Sequence, residues 1–563
     1  MAAGSLLLAQ ELFERADPAF VAEIVRCGGR KKLRRFAIRW SEARGAFARE
    51  SRIALADRNI DRGDARVLVK VLFKAAERRG DDVEMAHHLV SFDRLIRRVT
   101  RRDQWYHWGT QTMQYGPWRR RLPRVWRRNY PEQGPDHFSN NTRYYLQRRA
   151  LRHFRRLGYA EPDRFVEATA FALSLYDDDH FATPDAILDC RSLCLLLYGQ
   201  SPRLAVTPRA LDLATGTLDE LTPAPMHDAA WRSERAFGLL LRLVVAASSA
   251  FVRGWCIAWL REAHAERLAE LELKRLRPLL ASPHGEAQSF GAELLERIEG
   301  WAKVSVDTWL QLARLDNPQA LTVLARLMEE HVLPERLSLT QCLALSQSRV
   351  LPIASLGLRW AMDKGLGDDE ALRAVSSLAD AETEAVRREG LAWVRPKLVE
   401  KKRSLLLRDL VDSRHRDVRE VALEVSAEPL YEDDARVHAA MAESPYGDVT
   451  DTLAARLQDW QKLDEGSLQH LWATILLGVR RGSRAKRATL RALAERAIAF
   501  PDKAGELLPL VAVALRSVRE TERRAALATL ARAAFADPEL ATLIAEHIDD
   551  LAFDEVPSGR AAS

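Results

Sequence analysis

Apolar residues recur at helical spacing along nearly the whole chain, and over its second half they form paired runs separated by short polar turns. The turns begin near Ser282, Asp316, Ser348, Asp380, Asp412 and Ser444, with looser successors near Gly482 and Arg516. Nine or ten residues beyond each comes a small side chain: Ala292, Ala325, Gly357, Gly390, Ala422, Ala454, Ala492 and Ala526. A small residue at one fixed place lets the second helix of a pair approach its neighbour closely, so the pattern predicts stacked helix pairs. The expected fold is all-α: an α-solenoid of antiparallel helix pairs over 231–554.

The first half reads as helices with breaks. Leu6 to Ala16 ends at Asp17-Pro18, Ala19 to Arg26 at Gly28-Gly29, and Ala65 to Arg79 at Gly80-Asp81. From about 105 to 137, Gly109, Gly116, Pro117, Pro123, Pro131, Gly134 and Pro135 predict an irregular, aromatic-rich insertion. Helical pattern resumes at Tyr144 to Leu157, behind the capping run Ser139-Asn140-Asn141-Thr142, and again at Phe165 to Tyr176. These breaks divide the chain into a helical N-terminal region (1–198), an irregular connection (199–230), the repeat array (231–554) and a disordered tail (555–563).

Composition adds an asymmetry. The net charge of +6 is the sum of +18 over residues 1–160 and −12 over the remainder, and 17 of the basic residues lie between Arg94 and Arg156 beside only Asp103, Glu132 and Asp136. The N-terminus lacks the basic flank and apolar core of a secretory signal, and the most apolar stretch, Phe237 to Leu260, is interrupted by Arg242 and Arg253. Cys27, Cys190, Cys194, Cys256 and Cys342 are few and odd in number, as in reduced cytoplasmic proteins. Cytoplasmic location and no membrane contact are the expectation.

Two segments carry a family resemblance. "LLLRDLVDSRHRDVREVAL" (Leu405 to Leu423) and "LADAETEAVRREGL" (Leu378 to Leu391) resemble HEAT repeats, with Val418-Arg419 and Val386-Arg387 each followed by a small residue. That resemblance implies a valine in the core and an arginine laddered to the acid of the preceding turn. Other repeats, such as Leu279 to Leu295, keep the turn and the small residue without the Val-Arg pair. The stretch Phe138 to Tyr176 is similar to a segment of bacterial WGR and HEAT-repeat proteins of the molybdate-metabolism-regulator-like kind. The chain departs from that group at His107-Trp108-Gly109-Thr110, which has Trp-Gly without the arginine and without a recognisable strand pattern, so no WGR module is implied.

The sharpest chemical constellation lies in 94–156. Arg97, Arg98, Arg101, Arg102, Trp105, Trp108, Trp118, Arg119, Arg120, Arg121, Arg124, Trp126, Arg127 and Arg128 interleave guanidinium groups with aromatic rings, and Arg148, Arg149, Arg152, Arg155 and Arg156 add charge on the next helix. Phosphates need charge and unstacked bases need flat partners, so this set fits nucleic acid. It equally fits an acidic protein partner, or docking onto the acidic array. Asp177-Asp178-Asp179-His180, and Glu84 with His87-His88, contain metal-ligand types, but as adjacent residues they read as solvated loop and helix face. Nucleotide-binding glycine loops, a serine elbow, HExxH and paired-cysteine motifs are absent from the sequence, so no catalytic residue, metal or cofactor is expected.

The function expected is that of a non-enzymatic binding or scaffold protein with a protein partner. The alternative is RNA or single-stranded DNA binding through 94–156. A remote third reading is a HEAT-fold DNA glycosylase presenting Trp255, Trp259, Trp301 and Trp309 on a concave surface. Sequence leaves the oligomeric state open.

Overall fold

This computed structural model describes residues 4–548, apart from 62, 96–98, 122–137, 181–183, 208–210, 299, 368, 433, 457–464, 478–482 and 518. The protein is an all-α helical-repeat fold carrying two short antiparallel β-ribbons. It comprises two compact units, Met1–Glu299 and Gly300–Ser563. The division falls within the stretch read as one array. Residues 199–230, expected as a connection, lie inside the first unit, where Leu204–Val206 pairs with Leu211–Leu213 and Ala224 and Met226 donate backbone N–H groups to the Leu197 and Leu196 carbonyls.

Capping chemistry sets many helix starts. Ser233, Ser249, Ser305 and Asn317 each accept a backbone N–H from the first turn, and Ser338 with Gln341 forms a reciprocal capping box. Gly80 ends the helix Arg66–Arg79 in the left-handed conformation, as its sequence position predicts. The helix Asn140–Ala160 continues through Gly158, where any side chain would collide with the His227 ring.

In the second unit each helix packs against the next but one, giving two rows. One contains Ser404–Val411, Ala435–Glu443, Glu465–Leu477, Ala504–Leu515 and Pro538–His547; the other runs from Pro318–His331 through Leu351–Lys364, Glu384–Glu400 and Arg416–Val425 to Glu520–Ala536. The first unit has a like row: Phe20–Arg26, Ala46–Asp57, Asp82–Arg94, Pro162–Ser174 and Glu234–Ala246. Next-but-one packing buries one face of each amphipathic helix in a core shared by neighbours. Ser282, Asp316, Ser348, Asp380, Asp412, Ser444 and Arg516 all fall at or between the helices of a pair, while Gly482 lies outside the described residues.

The fourth residue of the second helix registers the repeats. Arg253, Gln288, Leu321, Ala354, Arg387, Arg419, Thr450, Lys486 and Arg523 occupy it in turn. Arg387 donates to the carbonyls of Ala381 and Glu382 and pairs with Asp417 at 2.9 Å. Arg419 repeats this with Ser413, Arg414 and Asp448, and Arg253 with Ala247, Ser248 and Glu286. Each guanidinium therefore satisfies its own turn's carbonyls, and its carboxylate comes from the following repeat. That corrects the expectation of an acid in the preceding turn. Val252-Arg253 is also a Val-Arg pair, hidden in the sequence within the apolar run. At Gln288, Leu321 and Ala354 the arginine is missing, and Gln319, Pro352 and Ala385 replace the acid at the second position of the next helix. Gln288 still reaches the Ser282 carbonyl at 2.9 Å.

Small residues sit where helices touch. A Cβ on Gly357 would lie 2.6 Å from the Ser346 backbone nitrogen and 2.7 Å from the Cys342 carbonyl, and one on Gly390 would lie 2.8 Å from Leu378. In the first of these repeats the tight position is Gly291, whose Cβ would meet Leu280 backbone at 3.2 Å, rather than its neighbour Ala292.

The expected irregular insertion is in fact a β-ribbon where it is described. Strands Val99–His107 (β1) and Thr112–Arg121 (β2) pair antiparallel with an irregularity between Arg102 and Gln104. Val, Thr, Tyr and Trp favour a pleated strand. Pro117, read as a breaker, is tolerated because each strand of a two-stranded ribbon is an edge whose outward N–H groups have no partner to lose.

Candidate nucleic-acid interface

The β-ribbon carries its arginines near the base, with Trp118 among them, and its other aromatic residues toward the tip. Near its base the register sets Arg101 opposite Arg119, Thr100 opposite Arg120, Arg102 opposite Trp118 and Val99 opposite Arg121. Toward the tip Trp105 pairs with Gln114 and Tyr106 with Met113. Trp108 in the turn is 83% exposed, and Trp105, Tyr106, Met113 and Tyr115 are also exposed. Trp105 donates its indole N–H to Gln114 Oε1 at 3.1 Å, and the Tyr106 and Trp108 rings meet edge to face, 4.9 Å between centroids.

The helix Asn140–Ala160 sorts its arginines by face. Arg143 is buried and pairs with Asp61 at 2.8 Å; Arg149 pairs with Glu77 at 2.6 Å and bonds the Tyr145 hydroxyl. Arg149 is thus spent on packing and does not belong to the free set predicted for the site. On the solvent side Tyr145, Arg148, Arg152, Arg155 and Tyr159 recur at three- and four-residue steps, with Arg156 next to Arg155, and all are exposed, Tyr159 at 79%. Among the described residues those four arginines have no ion-pair partner. The stripe spans about 21 Å at 1.5 Å per residue. Its field is felt at Arg191, where burial and then the Arg148 charge push the guanidinium below its ordinary value. Arg155 and Arg156 belong to the arginines read on this helix from the sequence, whereas Tyr145 and Tyr159 were not singled out there, although their spacing on a predicted helix would have found them.

Of the remaining predicted residues, Arg97, Arg98, Arg124, Trp126, Arg127 and Arg128 lie outside the described residues. Trp255, Trp259, Trp301 and Trp309 are buried in the core. They offer no surface to DNA, which removes the basis of the glycosylase reading.

The metal-ligand types are employed elsewhere. Asp178 accepts the Ala250 N–H at 2.8 Å, Glu84 is buried between Arg52 and Arg79, and His87 bonds Asp57. His88 is fully buried against Phe73 and Phe92, and desolvation pushes its pKa down to about 3, so it is neutral. Among the described residues, no group of three His, Cys, Asp or Glu could hold a metal ion. Behind the stripe helix, buried Asp93 accepts hydrogen bonds from Gln147, Tyr176 and the backbone N–H groups of Ser192 and Leu193, tying four segments together. Cys190 and Cys194 are buried beside it, and burial raises the Cys190 thiol pKa; all five cysteines are buried free thiols. No described helix is long and apolar enough to cross a membrane.

No protein-family model and no curated protein matches the chain. Among solved structures, an engineered protein is 14% identical over 93% of this chain and 98% of its own, with a TM-score of 0.14. A structure from work on a phosphorylation switch controlling the interaction between cadherin and beta-catenin is 14% identical over 95% of this chain and 99% of its own, with a TM-score of 0.19. Neither likeness carries a functional argument.

Proposed function

We propose that this protein binds single-stranded nucleic acid through its first unit and acts by binding, without chemistry of its own. The observation that carries the reading is the exposed stripe in which four arginines, without an ion-pair partner among the described residues, are bracketed by Tyr145 and Tyr159. Guanidinium groups without carboxylates attract phosphates, and rings that stand in water stack on unpaired bases. Trp105 and Trp108 on the ribbon offer further stacking platforms. A duplex hides its base faces, so the rings favour single strands.

The test is fluorescence anisotropy with a labelled single-stranded oligonucleotide and the matching duplex. The single strand should bind more tightly, and Trp108→Ala should weaken it by roughly 1 to 3 kcal/mol per stacked base. Equal affinity for duplex and single strand, or absence of oligonucleotide binding at low salt, would sink the proposal.

A protein-binding scaffold is the second reading, favoured by a groove of about 750 Å³ in the second unit between Leu310–Leu321 and Thr340–Val350. It predicts binding of a polypeptide that survives loss of the arginine stripe.

A further inference from the structure

We infer that the nucleic-acid surface extends from the arginine stripe across two neighbouring helices and takes a duplex carrying a single-stranded extension, an inference that rests on the single-strand reading of that stripe. Its new element is the outer face of the helices Arg30–Glu42 and Arg66–Arg79, which pack side by side. Asp64 sets their starts in register by accepting the Gly29 N–H and the Arg30 Nε–H, each at 2.8 Å, and Arg79 joins their far ends by donating to the Ser41 carbonyl at 2.8 Å. The two helices therefore run parallel. The stripe helix Asn140–Ala160 is tied to the second of them and to the turn ahead of it, through Arg149–Glu77 and Arg143–Asp61.

Lys31, Lys32, Arg34 and Arg35 are exposed on the first helix, and Lys74 and Arg78 on the second. Their spacing puts them on one side of each helix. None of the six is in an ion pair among the described residues. Arg30, paired with Asp64, and Arg66 and Lys70, which have contacts of their own, are not counted with them. Carboxylates are scarce here: residues 30–41 contain none, and 65–80 contain only Glu77, which Arg149 occupies. The crowding of like charge shows at Lys70, where burial and then Arg66 and Lys74 push the ammonium below its ordinary pKa.

This face differs in chemistry from the stripe. Among the described residues neither helix exposes an aromatic ring, since Phe36, Trp40 and Phe73 are buried. Cations without rings hold phosphates and leave the bases unread, which suits a duplex whose bases are stacked inside. Rings serve only where a strand is unpaired, and they stand on the next helix, at Tyr145 and Tyr159. Packed helices lie about 8 to 10 Å apart, so three in a row offer cations over a width of about 16 to 20 Å. A single strand has one row of phosphates, whereas a duplex has two, about 12 Å apart across the major groove and about 6 Å across the minor. The paired part of the ligand thus meets neighbouring helices at once, and the unpaired part follows the stripe. An acidic protein surface would also answer to the cations, but it gives no reason for the rings to be confined to one helix.

The experiment is fluorescence anisotropy of the full-length protein at 0.15 M salt with a labelled single strand, the same strand lengthened by an unpaired segment, the same strand with that segment paired into a duplex, and the blunt duplex. The tailed duplex should bind at least about tenfold more tightly than the single strand, and the unpaired lengthening should gain less than about threefold. Replacing Lys31, Arg34, Arg35, Lys74 and Arg78 together with alanine should bring the tailed duplex down to the affinity of the single strand, and should leave the single strand within about twofold. Thermal melting controls for folding of the variant. A second measurement needs no variant: acetylation of Lys31, Lys32 and Lys74, read by mass spectrometry, should slow by about threefold or more under the tailed duplex and not under the single strand. A single strand that binds while the duplex adds nothing, or an unpaired lengthening that gains as much as the duplex, overturns this inference and leaves the stripe as a single-strand site. Polyglutamate that shields the three lysines as fully as the tailed duplex shows a face that answers to any polyanion, and overturns the duplex assignment alone. Absence of binding by every oligonucleotide overturns the stripe reading and this inference together.

Discussion

Replacing Arg148, Arg152, Arg155 and Arg156 together with alanine should change how nucleic-acid binding responds to salt. The four side chains are exposed, and none has an ion-pair partner among the described residues, so the helix keeps Arg143 and Arg149 in their buried and half-buried pairs and the fold should stand. Counterion release from a single strand gives a slope of log affinity against log salt of about −0.7 per phosphate neutralised. If each arginine meets one phosphate, losing four should flatten the slope by about 2.8. At 50 mM salt the quadruple variant should lose about 50-fold more affinity, relative to the parent, than at 200 mM, since a fourfold dilution of salt raised to that power is roughly fifty. The assay is anisotropy of a labelled oligonucleotide at four or five salt concentrations, with thermal melting as the control for folding. A slope unchanged within error would refute the assignment of this stripe to phosphates. A uniform loss at every salt concentration would mean that the arginines act through the fold.

Three further expectations follow from the core. His88, neutral with a folded pKa of about 3 against about 6.5 when unfolded, leaves stability intact above pH 6.5 and removes it progressively as pH falls toward 3. His88→Phe should flatten that part of the pH–stability curve by up to about 4 kcal/mol in urea titrations, and an unchanged curve would exclude His88 as its source. Gly357→Ala should cost roughly 1 to 3 kcal/mol because its Cβ meets backbone, whereas Gly238→Ala, with open space, should stabilise by about 0.5 to 1 kcal/mol; equal melting temperatures would contradict the packing described. Arg387→Ala and Asp417→Ala should each destabilise, with a coupling of about 0.5 to 3 kcal/mol in the double-mutant cycle, and additive effects would show that the rung contributes nothing as a pair.

Helix punctuation was legible in the sequence because its causes are local: serine caps, Gly80 and the turn residues act within a few positions of themselves. The turns from Ser282 to Ser444 were placed for that reason. The ladder's direction was not legible, because Asp417 serves Arg387, and Asp448 serves Arg419, from the following repeat, about thirty residues away in sequence. The β-ribbon was missed because Gly116 and Pro117 read as breakers when the edge character of both strands could not be seen. Within the candidate surface, counting charge found the segment but could not separate Arg149 from Arg148. Only the carboxylate of Glu77, contributed by a distant helix, tells them apart.

The interrupted ladder bears on how such a chain can change by mutation. At the steps from Gln288, Leu321 and Ala354 both members of the rung are missing together. An arginine left on its turn without the next repeat's acid, or an acid left without its arginine, leaves a half-buried charge unanswered at a cost on the order of 2 kcal/mol. Single substitutions therefore meet an electrostatic barrier at Arg387–Asp417 and Arg419–Asp448 that the rungless central repeats lack. In the flanking rungs, by contrast, arginine and acid can be exchanged without leaving a half-buried charge only when both change together.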